Sequence, residues 1–108
     1  MNNIQFEKFH DEKLAELPTK FVSNCVEFLK IDIPEYVKED IKVEYKKDPI
    51  HWCTPYHLNW GMIIRNSLRQ AGFTDDKLPS KNWDDYYVRI IEIACGLREY
   101  GELNDGKS

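Results

Sequence analysis

The sequence predicts an all-α protein, a compact bundle of four to five short helices. Apolar residues recur at three- and four-residue intervals over several segments, which is the spacing of a helix with one buried face. Prolines and glycines stand between those segments, and no stretch of useful length alternates as a β-strand does. The chain has 108 residues, 42% of them hydrophobic and 31% charged, so we expect one globular domain over residues 1–101 and a disordered tail over 102–108.

The N-terminal region contains two of the predicted helices. A short helix is expected within residues 2–14, where it would carry Phe6, Phe9 and Leu14. The next is predicted from Thr19 to Lys30, directly after a proline, with its apolar residues on one face.

A further helix is predicted from Pro34 to Lys47. Val37, Ile41 and Tyr45 recur every four residues along it, with lysines and glutamates between them. This helix should end near Lys47, because the following residue, Asp48, precedes a proline and is biased away from helical geometry.

The helix predicted from Pro55 to Ala71 is the most informative element. Thr54 can cap its N-terminus, and Gly72 suits a left-handed C-cap. His57 and Gly61 fall on or beside its apolar face. A buried imidazole needs a hydrogen-bond partner, and a helical glycine costs about 1 kcal/mol relative to alanine. These costs predict that the face has a role in the fold or the function.

The last helix is predicted to begin at Ser80 or Asn82, with Asp84 and Asp85 in its first turn. Negative charge there complements the helix dipole. We expect it to be the core helix and to pack on the preceding helix across Gly61. Its apolar arc consists of Trp83, Tyr86, Tyr87, Ile90, Ile91, Ile93, Ala94 and Leu97. Three charged residues fall outside that arc, namely Arg89, Glu92 and Glu99.

His51, Cys53 and His57 form an H-x-C-x3-H cluster next to Asp48, and both residue types are zinc ligands. The spacing matches no usual zinc finger, and a fourth ligand would have to come from another cysteine through the fold. These residues are therefore weak metal candidates, and we predict no metal and no cofactor. Cys53 could also act as a nucleophile with His57 as its base, but no oxyanion site accompanies the pair.

Arg65 and Asn66 have two interpretations. Arg65 borders the buried face of its helix and could form an ion pair with Asp84 or Asp85, with Asp84 the better placed of the two. Alternatively, Arg65, Asn66 and His57 could form an anion pocket with a helix N-terminus. Two nearby carboxylates would repel an anionic ligand, which favours the ion pair.

The segment from His57 to Asn66 reads His-Leu-Asn-Trp-Gly-Met-Ile-Ile-Arg-Asn, and Asp84-Asp85 opens the next helix. Together with Leu17-Pro18-Thr19 and Val26-Glu27-Phe28-Leu29, this order resembles a family of small uncharacterised bacterial proteins, a domain of unknown function. The resemblance covers about residues 17–98. It implies a helical fold with a structural or functional core at His57, Gly61, Arg65, Asn66, Asp84 and Asp85, and it implies no activity.

Charge and composition argue against several classes of function and location. A formal net charge of −4 without a basic stripe argues against nucleic-acid binding. No apolar run approaches the ~18 residues that cross a membrane, and no signal peptide is visible at Met1. The three widely spaced cysteines do not form a disulfide framework, so we expect a cytoplasmic protein.

Two functions are compatible with these observations. The first is a non-enzymatic protein-interaction domain, by analogy an immunity-type or mobile-gene-encoded binder, that binds a protein partner or forms a homodimer. Its support is the acidic charge, the abundance of Trp and Tyr, and the lack of a complete catalytic constellation. The second is a small-molecule or anion site, with or without enzymatic activity, built on His57, Arg65, Asn66 and the pair Asp84 and Asp85.

Overall fold

The computed structural model describes residues 2–56 and 59–100, apart from the side chain of Tyr56, and all regular secondary structure in this part of the chain is helical. The predicted fold class is confirmed. The five α-helices are α1 (Asn3–Ala15), α2 (Thr19–Asp32), α3 (Glu35–Lys47), α4 (Trp60–Gln70) and α5 (Tyr87–Ala94). Three single 3-10 turns lie between them, at Thr54–Tyr56, Asp75–Lys77 and Trp83–Asp85. The predicted tail over 102–108 lies outside the described residues.

Helices α1 to α3 form where the sequence predicts them. A capping box opens α1, in which the Asn2 side chain accepts from the Gln5 backbone N–H and the Gln5 side chain accepts from that of Asn2. Helix α2 buries Val22 and Leu29 on its apolar face, and α3 buries Val37 and Ile41.

The predicted extent of α4 is wrong at its start and confirmed at its end. Thr54–Tyr56 forms a separate 3-10 turn, and α4 begins only at Trp60, where the Asn59 side chain accepts the Trp60 N–H. The short side chain of an asparagine can hydrogen bond to a neighbouring backbone N–H group, which favours Asn59 as a cap. At the other end, Gly72 has φ +101° and closes a Schellman motif, because Phe73 N–H donates to the Leu68 carbonyl. His57 lies outside the described residues.

The last predicted helix begins later than expected. Asn82 does cap a turn, because its side chain accepts the Asp84 N–H, but this turn is the single 3-10 turn Trp83–Asp85. Helix α5 then starts at Tyr87, and all of its residues through Ala94 are buried. It is the core helix, as predicted.

The predicted packing of α4 on α5 across Gly61 is not the main contact of the core. Helix α5 packs principally against α2 and, on another side, against α1, while α4 packs on α2. Helix α2 offers α5 a face of fully buried Val22, Cys25, Val26 and Leu29, which provides more apolar area than one glycine-centred contact could. Gly61 is itself buried. None of the helices in residues 2–56 and 59–100 is long and apolar enough to cross a membrane.

Candidate functional site

The structure brings together two of the residues singled out by the sequence, Arg65 and Asp84. Arg65 Nε lies 2.9 Å from Asp84 Oδ1, and the arginine side chain is 6% exposed while the aspartate side chain is 43% exposed. The guanidinium carbon of Arg65 also lies 4.7 Å from the centre of the Tyr87 ring, at the start of α5. The predicted ion pair is therefore present, and it attaches α4 to the turn that precedes α5.

The other residues of that motif have separate contacts. Asp85 accepts a hydrogen bond from the Ser80 hydroxyl at 2.8 Å. Asn66 is exposed, and its side-chain oxygen accepts from Arg69 at 2.7 Å. Because Asp84 neutralises Arg65 and Asn66 is engaged elsewhere, the described part of this motif offers no cluster of unpaired cationic groups for an anion.

Arg69 and Asp75 form a second ion pair that the sequence analysis missed. Arg69 Nε and NH2 donate to the two carboxylate oxygens of Asp75 at 2.6 and 3.1 Å, and Asp75 also accepts the Trp83 N–H at 3.2 Å. The hydrogen bond from Arg69 holds the pKa of the Asp75 carboxyl below its usual value. This pair secures the chain after α4 to the turn before α5. Nothing in the local spacing distinguishes these two residues from other charged surface residues.

A buried ionic network lies where the sequence analysis placed two residues outside the apolar arc. The Arg89 side chain is 2% exposed and that of Glu92 is 0% exposed, with 2.8 Å between Arg89 NH1 and Glu92 Oε1. Arg89 also pairs with Asp11 at 2.8 Å and with Glu7 at 3.1 Å. Arg89 and Glu92 lie outside the predicted apolar arc and are nevertheless buried, because α1 covers the face of α5 that carries them.

Glu92 has further buried partners. Trp52 Nε1 donates to Glu92 Oε2 at 2.7 Å, and Arg98 Nε donates to Oε1 at 3.0 Å. Both carboxylate oxygens are thus used, and the network joins α1, the loop before the first 3-10 turn, α5 and the segment after it. The charged and polar groups of this network pair with one another, which is the arrangement of a structural network. An arginine and a glutamate three residues apart in an otherwise apolar helix are the sequence signal that could have revealed it.

Of the metal and nucleophile candidates, His51 and Cys53 are among the described residues, whereas His57 is not. His51 Nε2 lies 3.0 Å from Asn3 Oδ1, and Asp48 accepts the backbone N–H groups of Ile50 and His51. Within residues 2–56 and 59–100 no group of three or more His, Cys, Asp or Glu side chains could hold a metal ion. Cys53 is buried, and that burial raises its pKa to about 11, so its thiol stays protonated near neutral pH.

Large apolar side chains are exposed where α3 and α4 approach each other. Tyr36 is 69% exposed and Ile63 is 51% exposed, and Trp60 contacts Tyr36 edge to face with 6.1 Å between the ring centres. We call these three residues the Tyr36–Trp60–Ile63 surface. It adjoins a groove of about 230 Å³ whose lining is Asp32, Ile33, Pro34, Val37, Trp60, Ile63, Ile64 and Ser67.

Comparisons with protein-family models, with curated proteins and with solved structures found no match. The family resemblance of the segment from His57 to Asn66 therefore stays a prediction. The functional argument below depends on the geometry of this chain alone.

Proposed function

We propose that this chain is a non-enzymatic protein-interaction domain that binds a partner through the Tyr36–Trp60–Ile63 surface. The observation that carries the proposal is the exposure of an aromatic and an aliphatic side chain beside an apolar groove. Aromatic residues around a pocket are typical of interface hot spots, and contiguous exposed apolar surface is typical of binding sites.

The charges around this surface favour a basic partner. Asp32 lines the groove, and the Glu35 side chain beside it is 80% exposed. The nearby Lys38 pairs with Glu35 and is directed to the Lys30 carbonyl, so Lys38 and Glu35 offset each other and Asp32 leaves this region with a net negative charge. We therefore propose an amphipathic segment of another protein, with apolar side chains in the groove and lysine or arginine residues at its flanks.

A second copy of this chain is a less suitable occupant. Two-fold self-association would bring Asp32 and Glu35 of both copies close together, and like charges across an interface are unfavourable. A homodimer is thus the competing outcome of the test.

The chemistry of the candidate site supports binding over catalysis. Arg65 is neutralised by Asp84, and the Arg89–Glu92 network has its groups paired internally. The Cys53 thiol is held in its unreactive protonated form by burial. These features leave the apolar surface as the strongest functional feature of the described residues.

A pair of matched positions tests the proposal. A photo-crosslinking amino acid is placed at Ile63 or, in a control, at Val43, which has an equivalent exposure of 50% but lies outside the surface. We expect a specific crosslinked product in cells from position 63 and none from position 43. Mass spectrometry identifies the crosslinked partner, which is then produced and purified.

Binding of that purified partner is measured by calorimetry. We expect Ile63→Asp to weaken binding at least tenfold and Val43→Asp to leave it unchanged, with affinity falling as salt concentration rises. Equal binding by both variants would overturn the proposed surface. Sedimentation equilibrium provides the second readout. A dimer that Ile63→Asp dissociates would show that this surface binds a second copy of this chain and not a basic partner.

A further inference from the structure

A second concave region lies on a different part of the molecule, between α1, the turn at Cys53 and Thr54, and the start of α5. Its volume is about 390 Å³, within the range of roughly 300–1,000 Å³ that is typical of small-molecule sites. It shares no lining residue with the groove of the Tyr36–Trp60–Ile63 surface. The residues that line it are Phe6, His10, Cys53, Thr54, Asp84, Tyr87 and Val88.

His10 is the feature that distinguishes this cavity from an ordinary packing gap. It is only 7% exposed, and its ring packs edge to face against Phe6 and Phe9, with 4.6 and 5.4 Å between ring centres. No hydrogen bond among the described residues involves its ring nitrogens, and neither nitrogen is one of the enclosed side-chain atoms that lack a partner, so the nitrogens are accessible to a small molecule. A buried imidazole on a cavity wall without a protein partner is a group available to a ligand.

The protonation state of His10 limits the kind of ligand. Burial, with a further contribution from the positive charge of Arg89, lowers the pKa of His10 to about 4. The imidazole is therefore neutral at pH 7 and presents one N–H donor and one nitrogen acceptor. It cannot supply positive charge to bind an anion.

The remaining lining groups point to an aromatic molecule. Phe6, Val88 and the Tyr87 ring provide apolar walls on which a planar ring can pack. The ion pair between Asp84 and Arg65 leaves little net charge at the cavity wall to attract a charged ligand of either sign. Thr54, exposed beside the cavity, adds a hydroxyl group.

We infer that this cavity binds a small, uncharged aromatic compound that carries an N–H or O–H group, with its ring between Phe6 and Tyr87 and its polar group hydrogen bonded to His10. This site is independent of the proposed protein-interaction surface, because the two share no residue.

The test uses indole as the probe, with two comparison compounds of nearly the same shape. Indene lacks the N–H group, and indole-2-carboxylate adds a negative charge. Binding is followed by NMR chemical shifts of the isotopically labelled protein, including the ring signals of His10. We expect saturable binding of indole with shifts at His10 and Val88, at least tenfold weaker binding of indene, and no binding of indole-2-carboxylate. Indole shifts that do not saturate, or that lie away from the cavity, would overturn the inference.

Variants distinguish the contribution of the His10 hydrogen bond to indole binding from that of the cavity's shape. His10→Phe keeps an aromatic ring but removes both nitrogens and should weaken indole binding at least tenfold. Tyr36→Phe is the matched control, because it removes one polar atom from an aromatic ring on the separate Tyr36–Trp60–Ile63 surface and should leave indole binding unchanged. If His10→Phe does not fold, Thr54→Trp narrows the opening from an exposed position and should weaken indole binding by a similar factor. Parental affinity for indole in a folded His10→Phe or in Thr54→Trp would contradict the assigned site.

Discussion

Glu92→Gln is expected to lower the free energy of unfolding by about 3–5 kcal/mol, the usual cost of breaking a buried ion pair from one side. The substitution keeps the size and shape of the side chain and removes only its charge. Glu92 is 0% exposed, and its partners Arg89 and Trp52 are also buried. The loss therefore cannot be compensated by water as it would be at the surface.

The geometry of the three donors explains this magnitude. Trp52 Nε1 donates to one oxygen of Glu92, and the guanidinium groups of Arg89 and Arg98 donate to the other. A glutamine must turn its NH2 group toward one of these sides, so at least one buried donor faces another donor. An unsatisfied buried group costs about 1–3 kcal/mol. The rest of the expected loss comes from leaving the buried guanidinium of Arg89 without its central counter-charge.

The assay is urea denaturation at pH 7 and 25 °C, followed by both tryptophan fluorescence and far-ultraviolet circular dichroism. Glu27→Gln is the matched control, because Glu27 pairs with Lys30 at 3.0 Å on the exposed face of α2. The control should unfold at the parental midpoint. Equal midpoints for Glu92→Gln and Glu27→Gln would refute the assignment of the network as a buried structural unit.

A double-mutant cycle provides a stricter test of the same unit. Arg89→Met alone removes the partner of Glu92, and the two changes together leave neither charge of the central pair uncompensated. We expect the combined loss to be smaller than the sum of the single losses by more than 1 kcal/mol. Additive losses would show that Arg89 and Glu92 do not stabilise each other.

Four further outcomes follow from the structure. Asp84→Ala should destabilise less than Arg65→Ala, because the aspartate is 43% exposed and the arginine is 6% exposed and contacts Tyr87; chemical denaturation of both variants checks this order. Gly61→Leu should cost about 1–3 kcal/mol by overpacking a buried position, and a parental melting temperature would contradict that. Since the pKa of His10 falls to about 4 in the folded state from 6.5, its contribution to stability should be complete above pH 6.5 and should decrease as pH falls toward 4. Denaturation of the parent and of His10→Phe at pH 7 and pH 5 measures this, with a loss of about 2 kcal/mol expected only in the parent. Cys53 should resist a thiol reagent at pH 8 until urea unfolds the chain, because burial raises its pKa to about 11 and blocks access.

Local sequence information was sufficient for the helices whose ends are set by neighbouring residues. Helix α3 ends at Lys47, where the following Asp48 precedes a proline, and Gly72 closes α4 with a positive φ. The ion pair between Arg65 and Asp84 was also predictable, because Arg65 borders an apolar stripe and Asp84 lies in the first turn of the next element. For the two helix ends, the determining groups are side chains and backbone atoms whose positions follow from short-range geometry.

Local information failed at the helix starts that depend on competing caps. Thr54 before a proline predicts the start of α4, yet it initiates only a 3-10 turn, and Asn59 caps the helix itself. Likewise Asn82 caps a single turn before α5. A stretch with several capping residues can begin a helix at several positions. Which position is used depends on how the helix packs against its neighbours.

The sequence by itself determined that this chain is helical and determined most of the helical segments, because periodicity and capping act over a few residues. Only the tertiary structure decided which faces are covered. Arg89 is buried because α1 covers α5 and brings in Asp11, which is 78 positions distant in the sequence. The His10 cavity and the Tyr36–Trp60–Ile63 surface arise in the same way, from elements brought together by folding. Burial depends on these long-range contacts, and the helical period of a single segment does not specify them.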